Sequence, residues 1–336
     1  GNVGADGGRS RSAVASGSPQ RAARPVLSMK LALVHPAVIP PRKYGGTERI
    51  VYWLMTALKT LGHEVVLVSA TGGAESEANE FVEYREDWEE ALPADVDLVH
   101  LWSTPEKEPK KAYLVTIQGN GKDGETFCRN TVFVSHRHAL NHGGTHFVHN
   151  GIDLAAYPCD SNREERLVFL AKASWSVKNL QGAVEIARAA GLPLEVLGSR
   201  DLPWDLHRLL PRIRGVKYHG MVDDEEKKSV LRRCKALLFP VRWHEPFGIA
   251  VTEALASGCA VLGTPYGSLP EIITPECGAL SFSARELLQR LKDPWRFSPD
   301  MCRARVSRGF SHLDMAKSYL ALYERVLRQG QLSEYL

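Results

Sequence analysis

The chain has 336 residues, 44% of them apolar and 24% charged, with 42 basic and 39 acidic side chains. That length exceeds what one hydrophobic core usually supports, so two domains are expected, and no apolar run approaches the about 20 residues that span a bilayer. The formal charge of +3 comes entirely from residues 1–28, whose four arginines and one aspartate leave 38 basic and 38 acidic side chains behind them, so a nucleic-acid-binding reading has no support.

Residues 1–28 are rich in Gly, Ser, Ala and Arg, lack the apolar block of a signal peptide, and read as a disordered tail or cloning remnant outside the fold. Residues 29–153 read as a first Rossmann-like domain. In it KLALVHP is a buried strand, AVIPPRKYGG a loop, TERIVYWLMTALKTLG an amphipathic helix stopped at Gly62, and HEVVLVSA the next strand. This βαβ unit predicts a parallel sheet, continued by VDLVHLW, AYLVTIQ and NTVFVSH.

The pattern restarts after VHNGIDLAAYP, and residues 154–310 read as a second Rossmann-like domain. RLVFLAKAS, PLEVLGS, VKYHGMV, ALLFPV and CAVLGTP are its strands; VKNLQGAVEIARAAG, DEEKKSVLRRCK and residues 247–257 are its helices. Residues 311–336 hold a terminal amphipathic helix, DMAKSYLALYERVLRQ. The expected fold class is α/β, two doubly wound domains facing a central cleft, with a ligand at the carboxyl ends of both sheets. The six cysteines are scattered with no C-x-x-C, the usage of a reducing cytoplasm, which is the expected location.

The stretch WHEPFGIAVTEALASG places Glu245 in a loop and Glu253 inside the helix that follows. A helix start carries unpaired N–H groups and partial positive charge, so a phosphate is favoured there, and Gly248 leaves room for it. Glu253 can then accept two hydrogen bonds from a ribose diol, and Glu245 can accept from hydroxyls beyond the phosphate. A nucleotide sugar fits that spacing. A surface glutamate followed by a capping glutamate fits the bare spacing as well; Pro246, Phe247, Gly248 and the continuation EALASGCAVLGTPYGSLPEII favour the ligand.

That continuation resembles the donor-site signature of the retaining glycosyltransferases of family four, which share the GT-B fold. YGGTERIVYWLMTALKTLGHEV is similar to the family's first loop and helix, VHNGID to its interdomain linker, and FSHLDMAKSYLALYERVL to its closing helix, which typically crosses back to the first domain. The resemblance implies a transferase that takes a nucleoside-diphosphate sugar, needs no metal or other cofactor, and passes the sugar to an acceptor that is a carbohydrate, a lipid-linked molecule or a small molecule. Peripheral membrane contact stays open. It implies that Glu245 binds hydroxyls of the transferred sugar and that backbone groups of Phe247, Gly248 and Ile249 meet the sugar and distal phosphate. Glu253 takes the ribose, Lys172 and Lys178 hold the diphosphate, and Gly45 and Gly46 approach it from the first domain. Val222 and Lys227 match positions near the base. Lys172 stands where the family usually has an arginine, which keeps the charge and loses the planar fork. Gln118 stands where the family often has a histidine beside the transferred sugar; it can donate a hydrogen bond and cannot shuttle a proton. The predicted catalytic set is Glu245, Gln118 and Lys178.

Two further readings compete. One is a GT-B relative with little turnover that binds a nucleotide sugar or supports a partner enzyme; the other is a sugar-nucleotide epimerase on the same architecture. His136, His138, His142, His146 and His149 lie within fourteen residues and could ligate zinc, but Gly143 and Gly144 interrupt any helix and no cysteine or carboxylate is near in sequence; packed or solvated histidines are expected. His100, at a strand end, is expected to face the cleft as an acceptor contact.

Overall fold

Runs of valine, leucine and isoleucine alternate with amphipathic helices along the chain and assemble into two six-stranded, wholly parallel sheets. The structure, a computed structural model, describes residues 28–41, 45–121, 124–198, 215–292 and 295–332. The expected tail, apart from Ser28, lies outside those residues, as do loop positions 42–44 and the end of the 311–336 span.

The first sheet comprises β1 (Lys30–Val38), β2 (Glu64–Ala70), β3 (Glu80–Glu83), β4 (Leu98–Leu101), β5 (Ala112–Ile117) and β6 (Thr131–Phe133), in the order β3-β2-β1-β4-β5-β6. The second comprises β7 (Glu164–Leu170), β8 (Leu194–Leu197), β9 (Val216–Gly220), β10 (Cys234–Phe239), β11 (Ala260–Gly263) and β12 (Gly278–Leu280), in the order β12-β11-β10-β7-β8-β9. Both sheets are the same doubly wound topology. Strand order reverses between β1 and β4 in one and between β7 and β10 in the other, and the loops leaving those strands open the crevice where such sheets take ligands. The short β3 and β12, at the sheet edges, were not among the predicted strands, because EFVE and GAL lack the continuous apolar run of the central strands.

Helix α1 (Gly46–Thr60) buries Ile50, Val51, Leu54, Met55, Ala57 and Leu58, one continuous face at helical spacing. Helix α2 (His136–Asn141) follows β6 at once, its Ser135 cap accepting from the His138 N–H, so the first histidines lie on a helix rather than a strand. In the second half come α3 (Leu180–Ala190), α4 (Asp224–Leu231), α5 (Ile249–Ala256), α6 (Leu269–Ile272), α7 (Ala284–Lys292) and α8 (Pro299–Ser307). The last helix, α9 (His312–Gln329), starts beside the linker, where Ile152 exchanges backbone hydrogen bonds with Phe310 and His312, and then packs on α1 and β5.

His100 is what α9 rests on. Its Nδ1 lies 2.6 Å from the Tyr323 hydroxyl and its Nε2 2.8 Å from Thr116 Oγ1, which in turn lies 3.0 Å from the Tyr319 hydroxyl. The ring stacks on Trp102 and is fully buried. The expectation that His100 faces the cleft is therefore corrected: strand-end position put it near the cleft, but α9 covers that end of β4 and supplies its partners. Burial alone holds the imidazole neutral, its pKa pushed down to about 3. Because the folded value lies below the unfolded one, the contribution is complete above about pH 6.5 and falls as the unfolded chain takes up a proton that the folded chain refuses, down to about pH 3. Between pH 6.5 and 4.5 the unfolding free energy should fall with a slope steeper by about 1.4 kcal/mol per pH unit in the parent than in His100→Gln. Equal slopes in urea titrations across that range would mean the ring is not held neutral.

Candidate functional site

The two switch points face each other, and the cleft between them is lined by Gly45, Gly46 and Arg49 from the first domain. The second domain contributes Lys172 after β7, Lys178, Met221 and Val222 after β9, Lys227 on α4, Glu245 and Gly248 after β10, and Ile249, Ala250 and Glu253 on α5. Of the predicted donor-site residues, all but Phe247 line this one cleft. Phe247 is buried, its ring against His149 and Phe310 and its carbonyl accepting from the Ser268 hydroxyl, so its side chain supports the loop from behind.

The two motif glutamates are built alike. Glu245 is 7% exposed, and its Oε2 accepts from Lys178 Nζ at 2.6 Å and from the Trp243 indole N–H at 2.7 Å. Glu253 is 4% exposed, and its Oε1 accepts from Lys227 Nζ at 2.6 Å and from the Tyr157 hydroxyl at 2.7 Å. In each case one lysine and one aromatic donor hold one carboxylate oxygen, so among the described residues the other oxygen is left to accept from a ligand hydroxyl. Burial, with the Glu253 charge adding to it, pushes the Tyr157 phenol well above its usual range, so this hydroxyl stays protonated and donates. Lys178 also lies 4.6 Å from the Trp243 ring centre, so its charge is held on two sides.

The start of α5 is arranged for an anion. Gly248 sits at φ +87°, a left-handed conformation that a side chain would strain, and no side chain caps the helix. A Cβ on Gly46 would stand 3.2 Å from Ile249 Cδ1, so glycine there lets the first-domain loop approach α5 closely. The expected helix start at 247 shifts to Ile249 because Gly248 is the cap. Lys172 rests over the exposed Trp175 ring at 4.7 Å, its ammonium at the cleft wall.

Other predictions land differently. Lys227, placed near a base by resemblance, makes its contacts with Glu253 and, at 2.9 Å, with Asp224. Gln118 does not line the cleft: its amide is paired with that of Asn150 in both directions, at 3.0 and 2.8 Å, which fixes the start of the linker. Sequence reasoning missed Arg49, Trp243 and Tyr157. Arg49 follows the GGTE loop by one helical step and Trp243 precedes Glu245 by two residues, both readable as neighbours; Tyr157 gives no signal, since it arrives from 96 residues away.

The histidines mostly have structural partners. His138 lies between the Val134 N–H and the Gly119 carbonyl, His142 stacks on Phe133, and His149 meets Glu271 at 2.8 Å. Among the described residues no group of three or more His, Cys, Asp or Glu is placed to hold a metal ion. The first domain also touches the motif loop directly: Asn120 Nδ2 donates to the His244 carbonyl at 2.8 Å and Ser135 Oγ to that of Pro246 at 2.6 Å. Glu271 accepts from the first two N–H groups of α2 at 3.0 and 2.8 Å.

Comparison with known proteins agrees with this geometry. Residues 205–286 match the family described as glycosyl transferases group 1. A glycosyltransferase involved in avilamycin A biosynthesis superposes with a TM-score of 0.77 at 26% identity, covering 90% of this chain and 98% of that one. The chain has the GT-B fold, and its residues 205–286 are similar to the glycosyl transferases group 1 family. This GT-B chain is also 26% identical over 168 residues to a phosphatidyl-myo-inositol mannosyltransferase of Propionibacterium freudenreichii, and 26% identical over 154 residues to an uncharacterized 41.2 kDa protein in the cps region of Klebsiella pneumoniae. These matches cover 44% and 43% of the GT-B chain and 42% and 41% of the two relatives respectively. Among the described residues no helix is long and apolar enough to cross a membrane.

The buried pairs give a stability prediction. Lys227→Met leaves Glu253 charged, buried and short of its cation, which should cost about 3 kcal/mol in urea unfolding, and adding Glu253→Gln should recover most of it. An unchanged midpoint for Lys227→Met would mean the pair carries no stability.

Proposed function

We propose that this GT-B chain transfers a sugar, with retention of configuration, from a nucleoside-diphosphate sugar to an acceptor. The observation that carries the reading is the matched pair of half-satisfied carboxylates, Glu245 and Glu253, on either side of the uncapped start of α5. Glu253 Oε2 would accept from the ribose diol, the N–H groups of Ile249 and Ala250 would meet the phosphate, and Glu245 Oε1 would accept from hydroxyls of the sugar. Lys172 and Lys178 supply positive charge where the leaving diphosphate accumulates negative charge as the glycosidic bond breaks; cations fixed there stabilise the transition state more than the ground state. On a front-face route the leaving phosphate oxygen takes the acceptor proton, so no imidazole is required, and the engagement of Gln118 with Asn150 does not interrupt it. The reading needs no metal, because lysines and helix N–H groups neutralise the diphosphate.

The test separates the two glutamates. Glu253→Ala should weaken binding of the free nucleoside diphosphate by about 1.5–3 kcal/mol, through loss of charge-assisted hydrogen bonds. Glu245→Gln should leave diphosphate binding nearly intact while donor hydrolysis and transfer fall. Equal losses for diphosphate and sugar nucleotide in both variants, by calorimetry across UDP, GDP and ADP and their glucose conjugates, would sink the assignment. Binding without any turnover in the parent would instead favour a nucleotide-sugar binder.

Lys172 tests the phosphate more cleanly than Lys178, because Lys178→Ala also frees Glu245. Lys172→Ala should lower turnover more than donor affinity, and Lys172→Arg should match the parent or bind tighter by restoring a two-pronged contact. Parent-like turnover in Lys172→Ala would move the diphosphate elsewhere.

A further inference from the structure

Glu253 is the end of a longer line of charges. Arg49, on α1 of the first domain, grips Asp224 with Nη2 2.7 Å from Oδ1 and Nε 3.2 Å from Oδ2. Asp224 Oδ1 lies 2.9 Å from Lys227 Nζ, and Lys227 Nζ lies 2.6 Å from Glu253 Oε1. Charges alternate along the line, two positive and two negative, and Arg49, Lys227 and Glu253 are each less than 10% exposed. At its far end Arg49 Nη1 donates to the Gly45 carbonyl at 3.2 Å, in the glycine loop that faces α5. The line therefore crosses the cleft from the glycine loop of one domain to the ribose carboxylate of the other.

We propose that Arg49 is a positioning residue for nucleotide binding, acting through Asp224 and Lys227 on Glu253. This rests on the nucleotide reading of the cleft. Lys227 is shared between two carboxylates, and its balance depends on how much of the Asp224 charge is already answered. With Arg49 in place, the guanidinium hydrogen-bonds Asp224 Oδ2 and lies at ion-pair distance from Oδ1, so Lys227 can lean to Glu253, fixing that carboxylate with Oε2 directed to a ligand. Without Arg49, Asp224 draws the ammonium toward itself, and Glu253 loses the donor that orients it. The positive potential of Lys227 and Arg49 together also holds Asp224 ionised: burial works to raise its pKa, and the two cations outweigh that and lower it. Because Arg49 belongs to the other domain, domain approach and the seating of the ribose carboxylate become one event.

The experiment is a double-mutant cycle on diphosphate affinity, with UDP, GDP and ADP as probes by calorimetry. Asp224→Asn is isosteric and partly exposed, so it keeps the fold when Arg49→Met is less forgiving, and thermal midpoints check both. Arg49→Met should weaken binding about tenfold, Asp224→Asn should stay within about twofold of the parent because the competing charge is gone, and the double variant should regain most of the Arg49→Met loss. Arg49→Lys should recover most of the loss. In turnover, KM of Arg49→Met for the donor should rise by about the same tenfold factor while kcat at saturation changes less than about twofold, a split that general destabilisation would not produce. Two results overturn the proposal while leaving the nucleotide reading standing. One is parent-like affinity in Arg49→Met; the other is a double variant as weak as Arg49→Met alone, which would put Arg49 directly on the phosphate. A parent that binds none of the three diphosphates would overturn both.

Discussion

A carboxylate closed off from water must be paired, and the cleft of this protein is organised around two that are. Glu245 and Glu253 would each carry a desolvation cost of several kcal/mol if left alone. Each is answered on one oxygen by a lysine and an aromatic donor, which leaves the second oxygen directed at the ligand space. The rest of the site follows from keeping those groups in place. Trp243 and Tyr157 are fixed by packing, Lys178 and Lys227 by their partners, and the start of α5 by a left-handed glycine.

The fold supplies the platform through repetition. Two sheets with the same strand order each reverse at their first strand, so each produces one crevice at the carboxyl ends of its strands. Setting the sheets face to face doubles the crevice and lets glycine-rich backbone from one side approach helix N–H groups from the other. Helix α9 ties the two halves together. It leaves the second half at the linker and lies on α1 and β5, its tyrosines bonded to a histidine and a threonine inside the first sheet. Glu271, Ser135 and Asn120 add a polar seam of hydrogen bonds between the domains beside the motif loop.

The same physics separates residues whose polar atoms are answered within the protein from those left open toward the cleft. Gln118 and His100 both sit at the carboxyl ends of strands of the first sheet, where ligand contacts are common. Both have their polar atoms satisfied within the protein, Gln118 by Asn150 and His100 by Tyr323 and Thr116. Glu245 and Glu253 differ: among the described residues each keeps one oxygen without a protein partner.

Much of this was legible in the chain itself. The alternation of apolar strands with 3.6-period helices, its restart near residue 154, and the glycine, proline and glutamate spacing around residue 246 depend on local sequence, and local sequence determined them. Most residues lining the cleft were readable because they fall in the loops after strands or in the first turns of the helices that follow. The tertiary structure alone decided which groups pair. Arg49 reaches Asp224 across 175 positions, Tyr157 reaches Glu253 across 96, and α9 covers His100 across more than 200. Pairing energies in a buried cleft depend on distance in space and on the exclusion of water, and neither quantity is written in the spacing of residues along the chain.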